Sequence, residues 1–351
     1  MKLGIIGLPQ SGKTTLFNTV SGLKEAVGNY SRAVHRAVIK VPDVRLENLA
    51  AMALPKKVTY AEIEFLDAAG FSGRAQESKA DLEIAPELRM MEALVLVVDC
   101  FSPDSNPERD FQTLLDEMIL ADMATLENNI DKLERTIKMT GRQERAQELA
   151  ILHRCQETLN NNKIISELSL TEEEEKTIRG YAFLSQKPQF IVFNISEDKL
   201  PEATLIHSRY AKFVKEGIRD ISVICGKIEM ELAQLAMEER TAFLKELQIE
   251  NPAVDKLIRQ SYHLLGLISF FTIGPPEARA WTIRKGSLAP KAAGAVHTDF
   301  ERGFIRAEVA SYDDYIVYKT LPALRTAGRL HIEGKEYVVQ DGDVILFRFN
   351  V

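Results

Sequence analysis

Short apolar runs separated by helical stretches dominate the first part of the chain. Leu3-Gly4-Ile5-Ile6, Ala37 to Val41, Ile63 to Leu66, Ala93 to Val98, Phe190 to Phe193 and Ile221 to Ile224 read as buried strands of a parallel sheet. Strands alternating with helices predict an open α/β sheet whose ligands gather at the carboxyl ends of the strands. Between about residues 115 and 185 the period changes. Leu126, Ile130, Leu133 and Ile137 recur at spacings of four and three with charged residues in the gaps, a heptad seam. Gly141 interrupts it, and Leu149, Leu152, Cys155 and Leu159 form a second arm, so the segment predicts an antiparallel helical hairpin ended by Asn160-Asn161-Asn162. Thr171-Glu172-Glu173-Glu174-Glu175 reads as the capped start of a further helix. Because a strand follows later, the hairpin is an insertion in the α/β domain; it either packs on that domain alone or serves as a docking arm.

After Leu267 short strands are punctuated by Gly274-Pro275-Pro276, Glu333-Gly334 and Asp341-Gly342-Asp343, which implies a compact, mostly β domain of about 85 residues. The segmentation expected is thus 1–114 and 186–266 for the α/β domain, 115–185 for the helical insertion and 267–351 for the β domain. A length of 351 residues exceeds what one core supports, and a 45% hydrophobic fraction can fill several. Forty-four Lys and Arg against 51 Asp and Glu give a formal charge of −7, which excludes bulk attraction to polyanions and leaves only a local basic face. No element for reading DNA sequence is expected. Cys100, Cys155 and Cys225 lie apart without metal-ligand spacing and read as core residues in a reducing compartment. The chain opens directly on a strand and has no apolar run near the ~18 residues of a membrane span, so no membrane association and a cytoplasmic location are expected.

The candidate chemistry begins at Gly7-Leu8-Pro9-Gln10-Ser11-Gly12-Lys13-Thr14, which fits G-x-x-x-x-G-K-[ST] between a strand and the apolar helix Thr15-Leu16-Phe17. Backbone amides of Leu8, Pro9's neighbours, Gln10, Ser11, Gly12, Lys13, Thr14 and Thr15 are placed to surround a polyphosphate, helped by the positive end of the helix. Lys13 is expected to reach the β- and γ-phosphates as the catalytic cation, and the Thr14 hydroxyl to ligate Mg²⁺. A Gly-rich connecting turn is the plain alternative. Asp67-Ala68-Ala69-Gly70 ends a strand with D-x-x-G, which assigns Asp67 to Mg²⁺ and the Gly70 amide to the γ-phosphate. Phe71 follows, where many GTPases carry the glutamine that orients water, and a phenyl ring cannot do that by hydrogen bonding.

Asn194-Ile195-Ser196-Glu197 occupies the place of N-K-x-D. Asn194 can still bond a purine N7, but Ile195 replaces the lysine and Glu197 lengthens the acid that reads guanine, so guanine selectivity is not dictated. Cys225-Gly226-Lys227 follows the last strand, where Gly226 and Lys227 are expected beside the base. His153, His207, His263 and His331 sit singly and read as structural or surface residues, and Trp281 as part of the β-domain core.

Together these residues resemble the YchF family of Obg-related P-loop ATPases, over essentially the whole chain. The resemblance is strongest in Ala280-Trp281-Thr282-Ile283, Ala292-Ala293-Gly294, His297-Thr298-Asp299-Phe300-Glu301, Gly303 to Val309 and Val339-Gln340-Asp341-Gly342-Asp343, which look like that family's TGS domain. It implies a GTPase-like domain, an inserted coiled coil and a ubiquitin-like β-grasp TGS domain. It also implies a preference for ATP over GTP, the N-x-x-E form seen at Asn194 to Glu197, an apolar residue at the position of Phe71, and a regulatory, ribosome- or stress-linked role. RNA or ribosome contacts through the hairpin and TGS domain would follow; His297 to Arg306 mixes basic and aromatic groups, which fits either RNA or an ordinary β-grasp surface.

The departures from the family pattern cluster at the γ-phosphate. Asn29-Tyr30-Ser31-Arg32-Ala33-Val34-His35-Arg36 is shorter than the family's first switch and lacks its threonine, with Ser31 the candidate substitute. Phe71 to Ser78 lacks the Gly- and Lys-rich second switch, and the loop after Cys100 is shortened and lacks a histidine. Binding is therefore better supported than hydrolysis. The expected function is a slowly hydrolysing ATP switch; a GTP-binding protein and a non-catalytic nucleotide-sensing adaptor are the alternatives.

Overall fold

The computed structural model describes residues 1–22, 34–67, 86–140, 145–235, 237–246 and 252–350. The chain forms two compact units: Met1–Ile39 with Glu64–Leu257, and Lys40–Ile63 with Ile258–Val351.

The first unit is built on a six-stranded sheet. Its strands are β1 (Lys2–Gly7), β2 (His35–Lys40), β4 (Glu62–Asp67), β5 (Ala93–Cys100), β6 (Gln189–Ile195) and β7 (Arg219–Ile224), in the order β2-β4-β1-β5-β6-β7; β3 (Val58–Thr59) belongs to the second unit. The pairs β1·β4, β1·β5, β5·β6 and β6·β7 are all parallel. That pattern agrees with the near-continuous apolar runs, because both faces of a parallel sheet are covered. The outer strand β2 departs from the reading: its residues alternate half-buried and exposed, as expected of an edge with one face on the core.

The two helical arms are Pro107–Thr140 and Ala146–Asn160. Leu126, Ile130 and Leu133 on the first and Leu152, Cys155 and Leu159 on the second are buried in the same core as the sheet. The first arm starts eight residues or so before the sequence reading placed it, because Phe111, Leu114 and Met118 already pack on the sheet. Gly141 lies outside the described residues. Asp122, fully buried, receives the amides of Leu184 and Ser185 at 3.0 and 2.7 Å and pairs with Arg89 at 3.1 Å, anchoring the arm beside the entry to β6. Thr171 and Glu174 form a reciprocal capping box on the helix Glu172–Ile178, as the Thr-x-x-Glu spacing implies.

The second unit carries β8 (Leu267–Ile273), β9 (Ala278–Arg284), β10 (Phe304–Ala310), β11 (His331–Glu333) and β12 (Val344–Phe349), ordered β11-β10-β12-β8-β9-β3. The helices Ala289–Val296, Thr298–Arg302, Tyr312–Tyr318 and Leu321–Thr326 make it an α+β domain rather than the mostly β one expected. Its helices escaped notice because they are only five to eight residues long, too short for a helical period to show. Residues 40–63, read from sequence as part of the first segment, belong to this unit. Val58 and Thr59 pair in parallel with Ala278 and Arg279, and the helix Val44–Ala53 packs on β8 and β9 with Leu46 and Leu49 fully buried.

Arg45 fastens that helix. Its guanidinium pairs with Asp43 at 2.9 Å and Asp341 at 2.8 Å and lies 5.2 Å above the Phe271 ring, while Asp341 also accepts from the Ser269 amide. The two hydrogen-bonded carboxylates hold the guanidinium firmly charged against its burial. Replacing Arg45 by Ala is expected to lower stability by about 1–2 kcal/mol. Urea unfolding followed by the fluorescence of Trp281, the one tryptophan of the chain, checks this.

Candidate functional site

At the carboxyl end of β1 the chain turns through Gln10 and Gly12, both with left-handed backbone angles (φ 65 and 93), and enters the helix Lys13–Ser21. A Cβ on Gly12 would stand 2.2 Å from Asn194 Nδ2, and one on Gly7 would stand 2.5 Å from Val97 O. Glycine is therefore required at both ends of the loop by close approach, and at Gly12 by conformation as well.

Lys13 curls back over the loop. Its Nζ donates to Gly7 O at 2.9 Å and Leu8 O at 2.8 Å, so the ammonium is already centred on the concavity instead of extended into solvent. Burial lowers its pKa, with the Asp67 charge opposing. Asp67, at the end of β4, is pushed up by burial and held back by Lys13, His35 and a hydrogen bond from Thr14. Thr14 Oγ1 lies 3.4 Å from Asp67 Oδ2. Ser11 Oγ is buried and finds no partner among the described residues. Leu8, Pro9 and Gln10 form the exposed or half-buried lip of the loop, and Thr15 faces a neighbouring cavity. Gly70, Ser31 and Phe71 lie outside the described residues.

Asn194, at the carboxyl end of β6, is buried and joins two loops. Its Nδ2 donates to Ser11 O at 3.1 Å and its Oδ1 accepts from the Gly226 amide at 3.0 Å. One Nδ2 hydrogen remains for a purine N7. Glu197 and Lys227 were read from sequence as separate base contacts; the structure pairs them at 2.9 Å, with both side chains exposed, and the hydrogen bond to Glu197 raises the Lys227 pKa.

These residues border a cavity of about 1270 Å³ that also touches Gly12 and Thr15. Two further lining residues escaped the sequence reading. Phe101 follows β5 on a turn in which Asp99 Oδ1 accepts from the amides of Phe101 and Ser102, and it stays 37% exposed at the cavity mouth. An aromatic residue directly after a buried strand was the available signal. Glu229, two residues after Lys227, is buried and accepts from the Ala253 amide at 2.6 Å; it escaped because that partner lies 24 residues on and nothing local marks it. The cysteines are all buried and free, and burial pushes the Cys100 thiol up to about 12. His153 approaches Glu134 at 4.0 Å, and no cluster of three or more His, Cys, Asp or Glu gathers among the described residues.

Two family profiles match the chain. One, described as 50S ribosome-binding GTPase, covers residues 2–129; the other, for the carboxyl-terminal region of YchF GTPases and described as a protein of unknown function, covers 267–350. Among curated proteins, the ribosome-binding ATPase YchF of Bacillus subtilis is 38% identical over 99% of both chains. That of Escherichia coli O157:H7 is 37% identical over 100% of this chain and 99% of its own. The solved structure of the Schizosaccharomyces pombe YchF GTPase superposes with a TM-score of 0.83 at 28% identity, covering 99% of this chain and 97% of that one.

Substituting Gly12 by Ala is expected to drive Asn194 off Ser11 and Gly226 and weaken nucleotide binding at least about tenfold, the loss of one or two buried hydrogen bonds. Titration of a fluorescent ATP analogue against the variant reads this.

Proposed function

This chain belongs to the YchF family, and from that membership we propose that it binds ATP in preference to GTP, hydrolyses it slowly and acts as a regulatory switch on the ribosome in the cytoplasm. The observation that carries the choice of base is the Glu197–Lys227 pair. Guanine presents its N1–H and amino group as two donors and needs an unencumbered carboxylate. Here that carboxylate is engaged by an ammonium, itself a donor, which suits the ring acceptor of adenine better. Phe101, at the same cavity, offers a surface for the purine face.

The phosphates lie, in this reading, along the amides of residues 8 and 10–15, with Lys13 neutralising the charge that develops on the transferred phosphoryl group. Asp67 and Thr14 suit Mg²⁺: they are hard oxygen donors side by side, and the buried carboxylate is short of positive charge. Thr14 and Asp67 would hold the ion, which when bound would neutralise charge on the polyphosphate. So few protein donors are usual for Mg²⁺, which keeps most of its water and phosphate ligands. Gly70 is assigned to the γ-phosphate by its motif alone. Among the described residues no helix is long and apolar enough to cross a membrane.

Slow turnover rests on the absence of a switch threonine and on Phe71 in place of a water-orienting side chain. Two measurements test the proposal. In titrations with Mg²⁺, an ATP analogue should saturate at lower concentration than its GTP counterpart; a GTP preference would overturn the base reading. Lys13→Ala should abolish most of that affinity, because it deletes a charge-assisted phosphate contact. Phosphate release followed over hours should exceed that of Lys13→Ala; equality with it would leave a nucleotide-sensing adaptor.

A further inference from the structure

The cavity beside Asn194 holds a buried acid that the phosphate and metal chemistry leaves unused. Glu229 stands one turn after Gly226 on the helix Gly226–Leu232, so the two share a face, and it borders the same cavity as Asn194 and Phe101. Only 5% of it is exposed. Its Oε1 accepts from the Ala253 amide at 2.6 Å, whereas its Oε2 has only the Val254 amide, at 3.4 Å, among the described residues. An ionised carboxylate offers about four acceptor sites, so this one keeps unfilled acceptor capacity in the cavity wall. Burial pushes the Glu229 carboxyl up, with Asp255 adding to the shift, while the two amides and Arg240 oppose it. The groups bonded to Glu229 are thus donors, and its part toward them is that of an acceptor. The Gly226 amide, expected beside the base, is spent on Asn194 Oδ1 at 3.0 Å and is not offered to a ligand.

Adenine and guanine differ at position 6, where adenine carries an amino group with two N–H donors and guanine a carbonyl oxygen. With N7 at the Asn194 carboxamide, position 6 is the next group along the same edge and comes to the helix face that carries Gly226 and Glu229. We propose that Glu229 is a specificity-determining residue, which accepts a hydrogen bond from the 6-amino group of adenine and rejects a 6-oxo purine. The amino group would fill the under-served oxygen of a buried carboxylate. A carbonyl would set two acceptors against each other, with the spent Gly226 amide unable to relieve them. Discrimination of this kind is large, because the mismatch leaves both partners unpaired. The inference rests on the purine reading of this cavity and adds a second, separate reader to it. The Glu197–Lys227 pair answers to positions 1 and 2 of the base, and Glu229 to position 6.

The test uses the full chain with Mg²⁺ and a ribose-labelled fluorescent ATP analogue, displaced in turn by ATP, 2-aminoadenosine triphosphate, inosine triphosphate and GTP. Inosine triphosphate carries the 6-oxo group without guanine's 2-amino group, and 2-aminoadenosine triphosphate carries both amino groups, so the set separates position 6 from position 2. The two 6-amino species are expected to bind alike and at least about tenfold more tightly than the two 6-oxo species. Glu229→Gln keeps an acceptor for the Ala253 amide while presenting an N–H to the base. It should weaken ATP and strengthen inosine triphosphate, bringing the two within about threefold of each other. Inosine triphosphate binding as tightly as ATP, with GTP alone rejected, would overturn the proposal and return the choice of base to Glu197–Lys227. So would an unchanged ratio in a Glu229→Gln protein whose urea midpoint matches the wild type. Should Glu229→Gln unfold early through loss of the bond to Ala253, the wild-type order of the four triphosphates decides alone. No saturable binding of the labelled analogue by the wild type would bring down the nucleotide reading itself, and this inference with it.

Discussion

The carboxamide of Asn194 has room for one arrangement only, and the site's geometry depends on it. It lies between Ser11 O and the Gly226 amide, with the α-carbon of Gly12 so close that a methyl group there would collide with its nitrogen. The loop after β1, the end of β6 and the loop after β7 are thus tied through a single buried side chain. A nucleotide spanning phosphate and base positions would meet two half-sites whose spacing is already set. That is the preorganisation that spares a ligand the cost of ordering loops on arrival.

Electrostatics at the phosphate loop follow the same logic. Lys13 donates to two backbone carbonyls of the loop, and Asp67 accepts from Thr14. Both groups are strained toward their neutral forms by burial. Each would gain from a counter-charge, the lysine from phosphate and the aspartate from a cation, so the two halves of a metal–nucleotide complex are favoured jointly. Ser11 Oγ, buried without a partner, belongs to the same unfinished polar arrangement.

Much of this was legible in the chain. Parallel strands announce themselves as apolar runs, and the phosphate loop by glycines whose necessity is steric. The capping box at Thr171 and Glu174 and the seam of Leu126, Ile130 and Leu133 are local patterns that survive folding unchanged. What stayed hidden depends on distant pairing. Nothing near Arg45 marks its partner at Asp341, and nothing near Glu229 marks the amide at Ala253 that it caps. The Glu197–Lys227 pair was similarly invisible, because two exposed charges 30 positions apart have no local signature. Strand β3 is two residues long, too short for any period to show.

Residues 40–63 leave the first sheet after β2, complete the second unit and return at β4. During synthesis this segment emerges early, yet β8, β9 and Asp341 are made some 200 to 300 residues later, a wait of roughly tens of seconds at ordinary elongation rates. Throughout that interval Leu46 and Leu49 have no surface to bury against. The second unit therefore reaches its observed form only once residues 40–63 and those from 258 onward are both available.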